Sequence, residues 1–406
     1  EWKQSIQWYN SGVTYFDFTK DGKNWATMKY TNAGAYGQQV YADGYWYFLV
    51  DNRDSNDNRP LLRESQISDG GTISNKFTEL EFDIRSPWTG DYAVNAPGLD
   101  RAFIVGDYKG SNDGALEIDY SGSSHSVSAQ HIFNQDDYDL SIKYYQPKNK
   151  VYAFQADDTV DTDSDGSADD TRLHLQTYSG GSWNGEVTVG EITDFNRRGS
   201  STVEIYDGSI YWLIEDNYDS LQVAECDLSN DCTSSSNWNI KEVYNPSPDV
   251  GFRGDYAFVN PSTGLLTANF QYDADGDGDP GETNGDDAVR FLELSDGTWS
   301  PTTDTGGVEW YVSNDIRHMF RIGSSLGYVT QTQRISQAVE VTFQSQKFSD
   351  KPVFSETSVD PDPPLIGETA DFSYNASDPD GNISQVNFTL KDDGTQVFTG
   401  SKSTSS

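Results

Sequence analysis

The stretch Ile210-Tyr211-Trp212-Leu213-Ile214-Glu215-Asp216-Asn217-Tyr218-Asp219-Ser220-Leu221-Gln222-Val223-Ala224 decides how this chain folds. Its first five residues alternate like a half-buried strand, an acidic loop interrupts them, and Leu221 to Ala224 returns as a second strand. A Ser/Asn/Asp-rich turn closed by Trp238 follows, and then Ile240 to Val243. The same order of strand, acidic loop, strand, polar turn and strand returns roughly every 50 to 60 residues, the mark of a radial repeat of short strands.

Working outward, the units run Gln38–Phe82, Tyr92–Phe133, Tyr138–Ile192, Thr202–Tyr244, Tyr256–Trp299 and Ile316–Phe348. A shorter hairpin, Val13–Tyr30, precedes them, and the last unit lacks an obvious fourth strand. A ring must close, because an open end leaves unpaired backbone edges. The N-terminal hairpin is therefore expected to complete the last blade. That gives an all-β fold with a six-bladed β-propeller over residues 1–354, or a seven-bladed one if the hairpin belongs to a blade of its own. After Phe354 the composition changes to a stiff Pro/Asp linker, Val359-Asp360-Pro361-Asp362-Pro363-Pro364. Alternating stretches at 370–374 and 385–390 then suggest a partial Ig-like β-sandwich over residues 355–406. That segment is about half of the roughly 100 residues of such a sandwich, so the parent protein is expected to continue beyond Ser406, or another chain to donate the missing strands.

The totals agree with this reading. Of 406 residues 13% are aromatic, which argues against disorder, and the formal net charge of -38 excludes nucleic acid and anionic membranes as partners. Such an excess of acid fits a salt-adapted (halophilic) protein, divalent-cation binding, or both. No stretch approaches the roughly 20 apolar residues of a membrane span, so no direct membrane insertion is expected. The chain opens at Glu1, as a processed one would. Cys226 and Cys232 flank one interstrand turn and are expected to form a local disulfide, provided that the turn brings their Cα atoms close enough. Two free thiols are the alternative.

Thr19-Lys20-Asp21-Gly22-Lys23-Asn24-Trp25 resembles the Asp-box turn of the sialidase-like propeller superfamily. Degenerate copies are Ser68-Asp69-Gly70-Gly71, Ser179-Gly180-Gly181-Ser182-Trp183 and Ser295-Asp296-Gly297-Thr298-Trp299. Gly permits the left-handed backbone, Asp caps turn amides, and Trp covers the hairpin. The resemblance implies a structural role for these turns and none in catalysis. Ser377-Asp378-Pro379-Asp380-Gly381 resembles PKD-like surface modules, with departures at 386–394, and implies modular extracellular architecture.

Asp161-Thr162-Asp163-Ser164-Asp165-Gly166-Ser167-Ala168-Asp169 carries the strongest chemical signal. Alternating carboxylates around a glycine supply hard oxygen ligands for Ca2+, and the spacing resembles calcium loops of the EF-hand and dockerin type. Asp273, Asp275, Asp277 and Asp279 repeat the theme, with Asp286 at the twelfth place counted from Asp275. The loop carrying Asp51, Asp54 and Asp57 is a weaker version. A solvated acidic loop is the rival reading for each of them.

Ligands of propellers usually bind at the centre of one face, where the innermost strands begin. Aligning the units puts Gln38, Asp91, Asp137, Ser201, Asp255 and Arg317 on that ring, with Arg198, Arg253 and His318 close by. A glycosidase needs opposed carboxylates, which Asp91, Asp137 and Asp255 would supply; polar residues solvating a wet channel account for the same pattern. No catalytic residue is assigned. Arg253-Gly254-Asp255 matches Thr89-Gly90-Asp91 in register, which favours a turn at the start of a strand over integrin recognition. His174, between Leu173 and Leu175, reads as packed or solvent-facing. N-glycosylation sequons fall at Asn375, Asn382 and Asn387 alone, Asn245 and Asn260 being blocked by proline. These features suggest a calcium-stabilised propeller at the cell surface that binds a glycan or surface protein, or assembles into a surface layer or filament. The alternative is a secreted glycoside hydrolase or lyase.

Overall fold

A computed structural model describes residues 4–10, 13–19, 25–31, 39–51, 60–67, 73–79, 93–108, 112–134, 140–167, 170–193, 201–216, 220–245, 252–259, 264–272, 288–301, 316–322, 325–335, 338–346, 353–360, 371–377, 385–392 and 395–403. Side chains are described for residues 40–47, 93–106, 113–134, 140–157, 160–167, 170–193, 201–214, 220–245, 257, 259, 264–268 and 292–300. Sheet I consists of β1 (Gln4–Asn10), β2 (Val13–Thr19) and β3 (Trp25–Thr31). Sheet II holds β4 (Gln39–Ala42), β5 (Tyr45–Asp51), β6 (Pro60–Ile67) and β7 (Ile73–Glu79). Sheet III holds β8 (Ala93–Ala96), β9 (Arg101–Tyr108), β10 (Asn112–Asp119) and β11 (Ser126–Phe133). Sheet IV holds β12 (Leu140–Tyr145), β13 (Lys150–Val160) and β14 (Asp170–Ser179), with its outer edge split into β15 (Ser182–Trp183) and β16 (Val187–Ile192). Sheet V holds β17 (Ser201–Tyr206), β18 (Ser209–Asp216), β19 (Ser220–Asp227) and β20 (Asn239–Tyr244). Sheet VI holds β21 (Phe252–Val259), β22 (Leu266–Tyr272), β23 (Ala288–Ser295) and β24 (Thr298–Pro301), and sheet VII β25 (Ile316–Ile322), β26 (Ser325–Ile335) and β27 (Ala338–Gln346). Two two-stranded sheets end the chain: β28 (Val353–Asp360) with β29 (Asp371–Ser377), and β30 (Gln385–Asp392) with β31 (Thr395–Ser403).

Backbone packing divides the chain into two compact units. One takes Glu1–Val259, Leu265–Arg317 and Val329–Thr342; the other takes Asn260–Gly264, His318–Tyr328 and Phe343–Ser406. β28 therefore runs across the composition change at Phe354.

Within the first unit, β4 packs against β8, β8 against β12, β12 against β17, and β17 against β21. Successive sheets thus meet through their innermost strands, in chain order, as the blades of a propeller do. The cores lie between neighbouring sheets. Val151 and Ala153 of β13 pack with Phe103 and Val105 of sheet III, whereas Tyr152, Phe154 and Ala156 pack with Ile210, Trp212 and Ile214 of sheet V. Tyr211 and Leu213 of the same β18 turn to Leu266, Ala268 and Leu292 of sheet VI. The stretch at 210–214 was expected to be half-buried; all five residues are buried, because a sheet lies against each face.

The hairpin at Val13–Thr31 forms as expected, but β1 precedes it, and the three strands make a sheet of their own. In the strand order it does not join β25–β27, as closure through a shared blade would require. Two turns compared above with Asp-boxes close as two-residue loops, with both residues left-handed: Gly180 and Gly181 (φ 63° and 90°), and Asp296 and Gly297 (φ 49° and 76°). Asp43-Gly44 and Asp207-Gly208 do the same between the first two strands of sheets II and V. This is the turn whose twist matches antiparallel strands, and it is sufficient reason for Gly there. The following Trp also reaches beyond its own hairpin: Trp183 packs edge-on against Phe103 of sheet III, and Trp299 against Tyr211 of sheet V.

Candidate functional site

β13 ends at Val160 and β14 begins at Asp170, so the acidic loop joins the second and third strands of sheet IV. Its carboxylates organise their own backbone. Asp161 accepts from the amides of Ser164 (2.7 Å) and Gly166 (3.2 Å), Asp163 from Asp165 N (3.0 Å), and Asp165 from Ser167 N (2.7 Å). Ser164 and Gly166 take left-handed conformations, φ 66° and 98°, which lets the chain fold back on these oxygens. Asp170, fully buried, accepts from the amide of Thr162, from Thr162 Oγ1 (2.7 Å) and from Asp163 N (3.2 Å). One carboxylate oxygen each from Asp161, Asp163 and Asp170 lies within 4.8 Å of the other two. A cation among three carboxylates this close would be attracted by all of them. Calcium takes six to eight oxygens, so backbone carbonyls and water would complete the set.

The sequence therefore named two of these three groups. Asp165 stands outside the cluster, and Asp169 lies outside the described residues. Asp170 was missed because it is out of step with the alternating 161-163-165 pattern; its signal is its place as first residue of the returning strand. Asp273, Asp275, Asp277, Asp279 and Asp286 lie outside the described residues, as do Asp54 and Asp57; Asp51 ends β5, its side chain undescribed.

Of the ring residues, Gln38, Asp91, Asp137 and Arg198 lie outside the described residues. Ser201 opens β17 and is buried. Arg317 and His318 fall in β25. Arg253-Gly254-Asp255 lies within β21, not at a turn before it. Arg253 pairs with Gln271 and Gly254 with Phe270, after which the register shifts so that Tyr256 faces Asn269. Asp255 thus sits at the register shift of the β21–β22 pair. On the innermost strands, Lys143 of β12 donates to Glu204 of β17 at 2.9 Å. Asn375 falls in β29 and Asn387 in β30, while Asn382 lies outside the described residues.

Cys226 and Cys232 are bonded, with Cα atoms 6.0 Å apart, so the turn does bring them within reach. Trp238 Nε1 donates to Cys232 O at 2.8 Å, closing the turn. Hydrogen bonds from Ser229 and Thr233 hold the exposed carboxyls of Asp227 and Asp231 below the usual range.

His174 is buried, its Nδ1 2.9 Å from Glu186 Oε1. Glu186 Oε2 accepts from Asn134 N (3.0 Å) and Asn134 Nδ2 (2.8 Å), so the carboxylate joins sheet IV to the end of sheet III. The hydrogen bond from His174 is the main cause that holds Glu186 below its ordinary pKa.

No protein-family model and no curated protein matches the sequence. Among solved structures, the chain is similar to a puromycin-hydrolyzing peptidase of Mycobacterium tuberculosis (10% identity, TM-score 0.43, over 85% of this chain and 51% of that one). It is also similar to a prolyl endopeptidase (10%, 0.44, 97% and 53%) and to an α-L-arabinofuranosidase of Lactobacillus brevis (12%, 0.35, 65% and 92%). The chain thus spans about half the length of either peptidase. At this level the likenesses bear on neither family nor function, and the propeller-type arrangement rests on the pairing and packing described above. No helix among the described residues is long and apolar enough to cross a membrane.

Proposed function

We propose that the protein is a calcium-stabilised binding head of the cell surface, a propeller that presents the centre of one face to a glycan or surface protein, or that packs with further copies in a surface assembly. The observation that carries the reading is the convergence of Asp161, Asp163 and Asp170 within 4.8 Å on a rim loop. Calcium there would order the loop without touching a substrate. A separate sheet I supports seven blades over six. The paired strands β28–β29 and β30–β31 support an Ig-like module carrying the three sequons. The disulfide supports an oxidising location. The charge of -38 supports a saline one.

The test is thermal unfolding of the whole chain during calcium titration and after chelation. Calcium at a hundredfold excess over Kd contributes about 2.7 kcal/mol, and Asp161→Asn with Asp163→Asn removes that increment. Unfolding indifferent to calcium and chelator alike rules the metal out. A glycan panel with Asp91→Asn and Asp255→Asn separates recognition from catalysis. Binding that survives both changes supports a binding head; turnover abolished by either would replace it with the glycoside hydrolase or lyase.

A further inference from the structure

The two faces of β14 differ in character. Leu173 and Leu175 belong to the apolar core shared with sheet V. The alternate positions, His174, Gln176 and Tyr178, face sheet III: Gln176 Nε2 donates to Ile132 O, and Tyr178 Oη donates to Glu117 at 2.9 Å. His174 and Gln176 are 5% and 6% exposed, so each polar atom on them needs a partner inside the protein.

Their protonation and orientation follow from the partners that they have. Glu186 accepts two hydrogen bonds from Asn134 and is held ionised, and an ionised carboxylate only accepts. A ring that carries one proton therefore holds it on Nδ1, toward Glu186, and presents Nε2 as a lone pair. Ile132 O only accepts as well, so it fixes the Gln176 amide with nitrogen toward sheet III and Oε1 turned away. Nε2 of His174 and Oε1 of Gln176 are both buried and have no partner among the described residues. Both are acceptors. They project from same-face positions about 6.6 Å apart along the strand, and one bridging molecule spans acceptors roughly 5 Å apart.

We propose that a water molecule is built into the interface between sheets III and IV, donating one proton to Nε2 of His174 and the other to Oε1 of Gln176. A histidine whose Nδ1–H is held by a carboxylate is also the usual form of a metal ligand. Here the neighbouring chemistry points away from a metal. The one grouping of three His, Cys, Asp or Glu ligand atoms among the described residues is the Asp161–Asp163–Asp170 loop, and His174 is not in it. A water needs two acceptors and supplies two donors, which is the deficit observed. Together with the Glu186–Asn134 and Gln176–Ile132 bonds, it makes one face of β14 a continuous polar seam against the end of β11.

Two measurements on the full chain test this. Long-range 15N–1H correlation spectra at neutral pH resolve the four histidines, and the His174→Gln variant assigns the signal that disappears. The water site requires an Nδ1-protonated ring with Nε2 as a hydrogen-bonded, unprotonated nitrogen. A high-resolution crystal structure requires one density peak within about 3.2 Å of both atoms, with no metal by elemental analysis. An Nε2-protonated tautomer, an imidazolium ring, a bound metal or an empty gap would each overturn the proposal, and the crystallographic arm holds even if the variant fails to fold.

Discussion

At the scale of single residues, Glu186 and Gly98 show how much one contact decides. The carboxyl of Glu186 lies below the ordinary 4.5 chiefly through its hydrogen bond from His174, assisted by Asn134. A group with a depressed folded pKa contributes stability that is fully present above the unfolded value and lost as pH falls through the folded one. Glu186→Gln should therefore be less stable than the parent at pH 7, and the gap should close below pH 4.5. Denaturant titrations of both proteins between neutral and strongly acidic pH read this directly; a gap independent of pH would mean that packing, not charge, holds the junction. Gly98 matters for space. A Cβ on it would collide with Tyr144 Oη and lie 2.6 Å from Asn149 Oδ1. Those two atoms are hydrogen-bonded to each other at 2.7 Å, and Asn149 Nδ2 donates to Gly98 O at 2.8 Å. Gly98→Ala forces the exposed ends of Tyr144 and Asn149 apart and breaks their hydrogen bond, at a cost of about 0.5–1.5 kcal/mol. Adding Tyr144→Phe should recover part of that loss in the same unfolding assay.

At the scale of elements, the turn of sheet V offers the sharpest test. Its disulfide closes a short loop, for which chain entropy predicts about 2–2.5 kcal/mol. Reduction, or Cys226→Ser with Cys232→Ser, should lower stability by about that much, and amide exchange should quicken first between Asp227 and Trp238. What the sequence revealed at this scale follows from how strands announce themselves. The second strands of the sheets, around Trp46, Phe103, Phe154 and Trp212, were legible because runs of apolar residues leave few alternatives. β1 was missed because Gln4-Ser5-Ile6-Gln7 has little apolar weight, and the β15–β16 break because nothing in composition marks a split edge. Asp170 escaped notice for a related reason: its role depends on a chain reversal, not on spacing. The polar seam of His174 and Gln176 was hidden among leucines, since alternation tells which residues share a face but not what that face meets.

At the scale of the whole molecule, charge dominates. A formal net charge of -38 makes the compact state repel itself, and salt screens this over about 10 Å at 0.1 M and about 3 Å at 1 M. The thermal midpoint should rise by several degrees between those concentrations of sodium chloride. A fall would mean that attractive pairs such as Arg101–Glu117 and Lys143–Glu204 outweigh the general repulsion. The order of the sheets has a different consequence. Each described strand is hydrogen-bonded only to strands of its own sheet, close by in the chain, and each sheet from III to VI packs against the one made just before it. Few distant segments must find each other, so a nascent chain leaving the ribosome can finish one sector and use its exposed flank as the template for the next. Synthesis from the amino end would then lay the structure down in the order in which it is read.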